Sequence, residues 1–177
     1  MIKVAEFKLN RFNSFLINVF SLTAFILGLV LLLELTGKGL WINFMSEITY
    51  NNALIVFITL FSVIALHELF HGLAYKLYGA RLKFGIKFLN IYTMDISGTL
   101  YTASQMAVIM LLPLIALTGI LTSAIFLLPK FSCFIVLGVL FNISGSAGDI
   151  LLLSYILYRG RNCRIKDERL GFSIYTV

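Results

Sequence analysis

Charge is what this 177-residue chain has least of: 12% of its residues are Asp, Glu, Lys or Arg, against about 25% in an ordinary soluble domain. Beside 60% hydrophobic residues, that scarcity excludes a soluble globular protein. Cysteine occurs twice, as Cys133 and Cys163, too few and too far apart in sequence for a disulfide framework or a CxxC metal site. Proline also occurs twice, and no Ser/Gly-rich stretch, repeat or low-complexity segment offers a linker, so residues 1–177 read as a single domain.

What fills the chain is apolar runs. Four of them, at about 15–35, 53–78, 106–128 and 131–158, are each long enough to cross a hydrocarbon core about 30 Å thick. The first lacks a small-residue cleavage site and reads as a span, not a removable signal peptide. Pro113 is expected to kink the third. Of the 14 Lys and Arg residues, only Lys38 and Lys130 fall on one face; the others precede span one, follow span two or follow span four. The positive-inside rule then predicts a multi-pass cell-membrane protein whose N-terminus, span 2–3 loop and C-terminus are cytoplasmic. These basic residues have a sufficient role in topology and in contact with the lipid bilayer, so no nucleic acid is expected as a partner. Trp41 and Tyr50 on the outer side, and Tyr75, Lys76 and Tyr78 on the inner, read as interfacial aromatics with a snorkelling lysine.

Between spans two and three the period changes to two. Leu82, Phe84, Ile86 and Phe88 alternate with Arg81, Lys83, Gly85 and Lys87, and Tyr92 to Tyr101 alternates likewise after a turn near Asn90. The fold class expected is therefore an all-α polytopic membrane protein: four transmembrane helices with a short interfacial β-hairpin between helices 2 and 3.

Topology does not explain four ionisable residues: His67, Glu68 and His71 in span two, and Asp149 in span four. Such groups deep in apolar helices are costly and point to function. His67-Glu68-Leu69-Phe70-His71 is HExxH, whose i, i+4 spacing puts two imidazoles on one helical face to bind a single Zn²⁺, with Glu68 placed to act on the water it activates. A third ligand has to be acidic, since both histidines of the chain are already used. If both spans run inward, His71 and Asp149 lie at one depth, roughly 27 Å along their helices at 1.5 Å per residue, which favours Asp149; Asp95 on the hairpin is the alternative. Asn142, Gly145, Ser146 and Asp149 fall on one stripe that should face span two, with Gly145 and Gly148 allowing close approach. Asn142 then either orients substrate or bridges helices.

HELFHGLAYKLYG, the amphipathic KFGIKF and the later GSAGD together resemble the putative zincin peptidase family of small bacterial membrane proteins, over about residues 50–160. They are more distantly similar to site-2-protease intramembrane metalloproteases. The resemblance implies zinc held by His67, His71 and Asp149, with Glu68 as catalytic acid/base. The chain departs from the site-2-protease pattern in that Ile143 follows Asn142, and Gly148 precedes Asp149.

The function expected is a zinc-dependent membrane-embedded endopeptidase acting on a membrane protein or membrane-associated peptide, by Glu68-assisted attack of water. The Arg81–Tyr101 hairpin would hold the substrate extended by strand addition, and proline scanning of both hairpin edges that left cleavage unchanged would remove that role. Two other readings stay open: a proton or ion transporter using the His/Glu/Asp cluster, and a non-catalytic adaptor with a structural metal.

Overall fold

The computed structural model describes residues 1–87, 90–160, 162–168 and 171–176; at 36–41, 43–45, 50, 87, 90 and 160 it describes the backbone alone. The readings made for Lys38, Trp41, Tyr50 and Lys87 therefore lie outside the described side chains, and those for Phe88, Arg161 and Arg169 outside the described residues.

The helices start and stop where local chemistry provides. Helix α1 (Arg11–Glu47) opens on Asn10, whose Oδ1 accepts from the Asn13 N–H at 2.8 Å. Helix α2 (Ala53–Leu77) ends in a left-handed turn at Gly79, φ 81°, which lets the Ala80 N–H return to the Tyr75 carbonyl at 3.2 Å. Helix α3 (Ala103–Leu112) opens on a reciprocal capping box between Thr102 and Gln105. It continues through a π-helical turn at Pro113–Leu117 into α4 (Thr118–Leu127), so the kink expected at Pro113 takes the form of a widened turn. Helix α5 (Ser132–Gly160) closes the set. Four helical stretches, Arg11–Leu35, Ala53–Leu77, Ala103–Leu127 and Pro129–Arg159, are long and apolar enough to cross a membrane. Helices α1, α2, α3 and α4 all pack against α5.

Close approach of α2 and α5 is made at Gly138, where a Cβ would meet Val63 Cγ2 at 3.2 Å. Gly148 instead faces α1, where a Cβ would lie 3.0 Å from Ile17 Cγ2, and Gly145 has open space beside it. Of the two glycines expected to let helices approach closely, Gly148 does so, against α1, and Gly145 does not.

Beside the expected hairpin lies a second, four-stranded sheet, which corrects the all-α expectation. Strands β2 (Leu82–Lys87) and β3 (Asn90–Asp95) form the antiparallel hairpin, with Leu82 opposite Asp95 and Gly85 opposite Tyr92. The second hairpin strand stops at Asp95 instead of running to Tyr101. Residues 100–102 join a different sheet as β4 (Leu100–Thr102). That sheet has the order β1-β6-β5-β4, with β1 (Lys3–Lys8), β5 (Arg164–Glu168) and β6 (Gly171–Tyr175), all antiparallel. The basic segments read as flanks of spans one and four are thus partly strands. Their alternation is hard to see because each strand places only one or two apolar side chains inward: Ala5 and Phe7, Ile165, then Phe172 and Ile174.

Those side chains make the main core. Tyr101, Ile165 and Ile174 are fully buried against Ala74 and Tyr75 of α2, Met106 of α3 and Ile156 of α5. Phe7 stacks on Phe172, with ring centroids 5.7 Å apart. Tyr75 is part of this core and not an interfacial aromatic, while Tyr78 is half-buried with its ring edge-on to Tyr101. The sheet is thereby fixed to one end of the helical bundle, beside the last turns of α2.

Candidate metal centre

One helical turn of α2 separates His67 from His71, and the i, i+4 spacing brings their rings to a centroid distance of 4.8 Å. Both are buried. Their Nε2 atoms lie 3.2 Å apart, and Asp149 Oδ2 from α5 lies 3.1 Å from His67 Nε2 and 3.4 Å from His71 Nε2. His67, Glu68 and His71 together offer ligand atoms within 4.8 Å of one another.

The outward nitrogens of the two rings are already engaged. His67 Nδ1 donates to Asn142 Oδ1 at 2.9 Å, and His71 Nδ1 donates to the Ile109 carbonyl of α3 at 2.9 Å. With the proton on Nδ1, each neutral ring turns a lone pair on Nε2 toward the other ring and toward a carboxylate oxygen. Three acceptors facing one another in an apolar bundle require a cation among them. An imidazolium bonded to a carboxylate closes to about 2.7–2.9 Å. The spacings here are wider, and they match the roughly 3.3 Å that separates ligands around a tetrahedral Zn²⁺ with bonds of about 2.0–2.1 Å. The donor set and its spacing therefore fit zinc.

Glu68 is half-buried and turned toward the hairpin. Its Oε2 accepts from Thr93 Oγ1 of β3 at 2.8 Å, and the same hydroxyl lies 3.0 Å from the Glu68 carbonyl. Thr93 was not identified in sequence; it looks like any polar-face residue of an alternating strand, and only the docking of β3 on α2 gives it this contact.

Asn142 is fully buried, and the stripe expected to face span two does so here and at Asp149. Its Nδ2 donates to the Pro113 carbonyl at 3.3 Å and to Thr118 Oγ1 at 3.0 Å, while its Oδ1 takes the His67 proton. Both of the amide's donors are thus used within the protein, and its contacts describe a bridge between helices that orients His67. Ser146, one turn on, bonds back to the Asn142 carbonyl at 2.9 Å.

The structure does not bring Asp95 to this cluster. Its carboxylate accepts from Tyr101 Oη at 2.8 Å, from the Ser97 N–H at 2.7 Å and from the Arg81 N–H at 3.2 Å. These bonds, those of Ser97 foremost, hold it below the usual carboxylate range despite its burial. Its own N–H donates to Asp167 Oδ2 at 2.7 Å, and Tyr75 also bonds that carboxyl. Burial pushes Asp167 up to about 7.

A cavity of about 700 Å³ opens on these groups. Leu60, Val63 and Ile64 of α2 and Ile17, Ser21 and Phe25 of α1 line its apolar part. Residues 91–94 of β3, with Asp167 and Phe172 of the larger sheet, line the part nearest the strands.

Among known protein families, a family model described as "Putative zincin peptidase" matches residues 60–164, which include all four clustered residues. No curated protein and no solved structure matches the chain.

Proposed function

The chain belongs to the Putative zincin peptidase family, and on that premise we propose that it is a zinc-dependent endopeptidase, embedded in the membrane, that hydrolyses a peptide bond in or near a membrane segment. The observation that carries this reading is the convergence of His67 Nε2, His71 Nε2 and Asp149 Oδ2 at ligand spacing within helices apolar enough to cross a bilayer.

These three residues would hold the metal, and Glu68 would be the catalytic base. When bound, zinc supplies Lewis acidity: it activates water near neutral pH and stabilises negative charge on the carbonyl oxygen under attack. Glu68 takes the proton of the attacking water and returns it to the leaving amine. Thr93 holds the Glu68 carboxylate toward the cavity through its hydroxyl. A helical substrate conceals its carbonyls in its own hydrogen bonds, so it has to be held extended. Strand β3 borders the cavity and, among the described residues, pairs along one edge only, which suits strand addition. The positive-inside charge pattern supports an orientation in which the end carrying both sheets is cytoplasmic.

Zinc stoichiometry on detergent-purified protein, washed with a weak chelator, tests the proposal. One zinc per chain in wild type, lost in His67→Ala and in Asp149→Ala, is the expected result. No zinc in wild type, with remetallation failing as well, would overturn it in favour of a proton path through the same groups.

A further inference from the structure

The third span contributes no ligand to the cluster, yet both histidines are oriented by it. We infer that Pro113 is a positioning residue for the metal centre: it leaves the Ile109 carbonyl open to His71 and, at the turn it begins, offers its own carbonyl to Asn142, so that both imidazoles are held through Nδ1 with Nε2 turned toward Asp149. This rests on the zinc reading given above.

The argument starts from helix geometry. In a regular α-helix the carbonyl of residue 109 accepts the N–H of residue 113. Proline has no N–H, and its ring crowds the carbonyl four residues back. Ile109 is buried, where an unpaired carbonyl is costly. The donor that reaches it, at 2.9 Å, is His71 Nδ1. A vacancy in the ladder of one span thus meets the donor of an imidazole in another, and the His71 tautomer follows from it.

The second histidine is handled one turn further along the same face. At Pro113–Leu117 the span leaves α-helical spacing for a π-helical turn. Asn142 Nδ2 donates there to the Pro113 carbonyl and to Thr118 Oγ1. The Pro113 carbonyl, which can only accept, fixes the rotation of the amide, because a flipped amide would set its oxygen against that carbonyl; the Thr118 hydroxyl could serve either end. Oδ1 is left toward His67, which donates from Nδ1. A kink needed only for packing would give no reason for two carbonyls four residues apart to meet the two rings, Ile109 directly at His71 and Pro113 at His67 through the Asn142 amide.

The test restores the missing donor. Pro113→Ala supplies an N–H that competes with His71 for the Ile109 carbonyl; the hydroxy-acid substitution Pro113→lactic acid removes the ring as alanine does but, like proline, has no N–H. Two readouts are taken on the whole 177-residue chain: zinc affinity by competition with a chelator, and the hydrogen bond at His71 Nδ1, read from the shifts of ¹⁵N-labelled histidine. Pro113→Ala is expected to weaken zinc binding by about 10–100-fold and to weaken the bond at His71 Nδ1, with the lactic acid variant close to wild type. Equal zinc affinity in Pro113→Ala and wild type, or equal loss in the alanine and lactic acid variants, would overturn the inference. Should the alanine variant fail to fold, replacing Met110 by its hydroxy acid turns the Ile109 carbonyl into a weaker ester acceptor. That change has to lower zinc affinity and weaken the bond at His71 Nδ1, or the inference fails. If wild type binds no zinc, the function proposed above falls, while the bond at His71 Nδ1 in the metal-free protein still decides whether Pro113 orients that ring.

Discussion

Glu68 sits between two imidazoles in sequence, yet the group that bonds its side chain is a threonine from a neighbouring strand. Its carboxylate therefore has a fixed direction that owes nothing to the metal ligands, and removing its charge should separate catalysis from binding. Glu68→Gln is expected to lower peptide cleavage by about 10²–10⁴-fold while zinc stoichiometry and affinity stay at wild-type levels. Loss of zinc in this variant would instead make Glu68 a ligand. At this scale the sequence was informative where chemistry is local. The i, i+4 pair is intrinsic to one helix, and counting residues inward along two spans brought Asp149 to the level of His71. Of the acceptors that orient the rings, Ile109 was illegible, because it acts through a carbonyl that every residue possesses. Asn142 was visible as a polar residue on the Asp149 stripe, but its contact with His67 shows only once α3 and α4 are packed against α5.

The larger sheet illustrates why some elements escape a reading by pattern. A strand such as Arg164–Glu168 buries one apolar residue, Ile165, and presents charges that a membrane protein also places beside its spans. Topology accounts for those charges well enough that nothing prompts a second explanation. The hairpin is the opposite case, because four apolar residues at period two stand out from the neighbouring helical runs. Pairing between sheets brings Asp167 against Asp95 and Tyr75, and this juncture is expected to respond to pH. Burial raises the folded-state value of Asp167 to about 7, above the usual 3.8 of the unfolded chain. Its protonated form thus contributes stability that is complete below about pH 4 and declines as pH rises through 7. Asp95, shifted the other way, contributes stability that is lost only as pH falls below the ordinary carboxylate range, outside that window. Thermal unfolding between pH 5 and 8 should show the wild-type midpoint falling with pH, and Asp167→Asn should flatten that slope. An unchanged slope would mean that Asp167 is ionised throughout.

For the whole molecule, the composition announced four spans and one domain, and four helical stretches of the right length and hydropathy are present. Which end faces the cytoplasm is a separate matter that charge counting predicts and labelling can decide. Lys130 is exposed beside the start of α5, and Cys163 follows its end. In a Cys133→Ser background, an impermeant maleimide applied to intact cells should label Lys130→Cys and spare Cys163, with the reverse in inverted vesicles. The opposite pattern would place both sheets, and the site beside them, outside.

Strand β1 is hydrogen-bonded to β6, so Lys3 to Lys8 are paired with Gly171 to Tyr175. During synthesis β1 is made before any span and, among the described residues, meets its strand partner only after α5 has been made. All four spans precede β6, and can therefore enter the bilayer before this sheet exists. Phe7 and Phe172, stacked on each other, also line the cavity. One wall of the cavity consequently closes only after all four spans have been made, so the cavity is completed by pairing at the aqueous end of the bundle and not by helix packing alone.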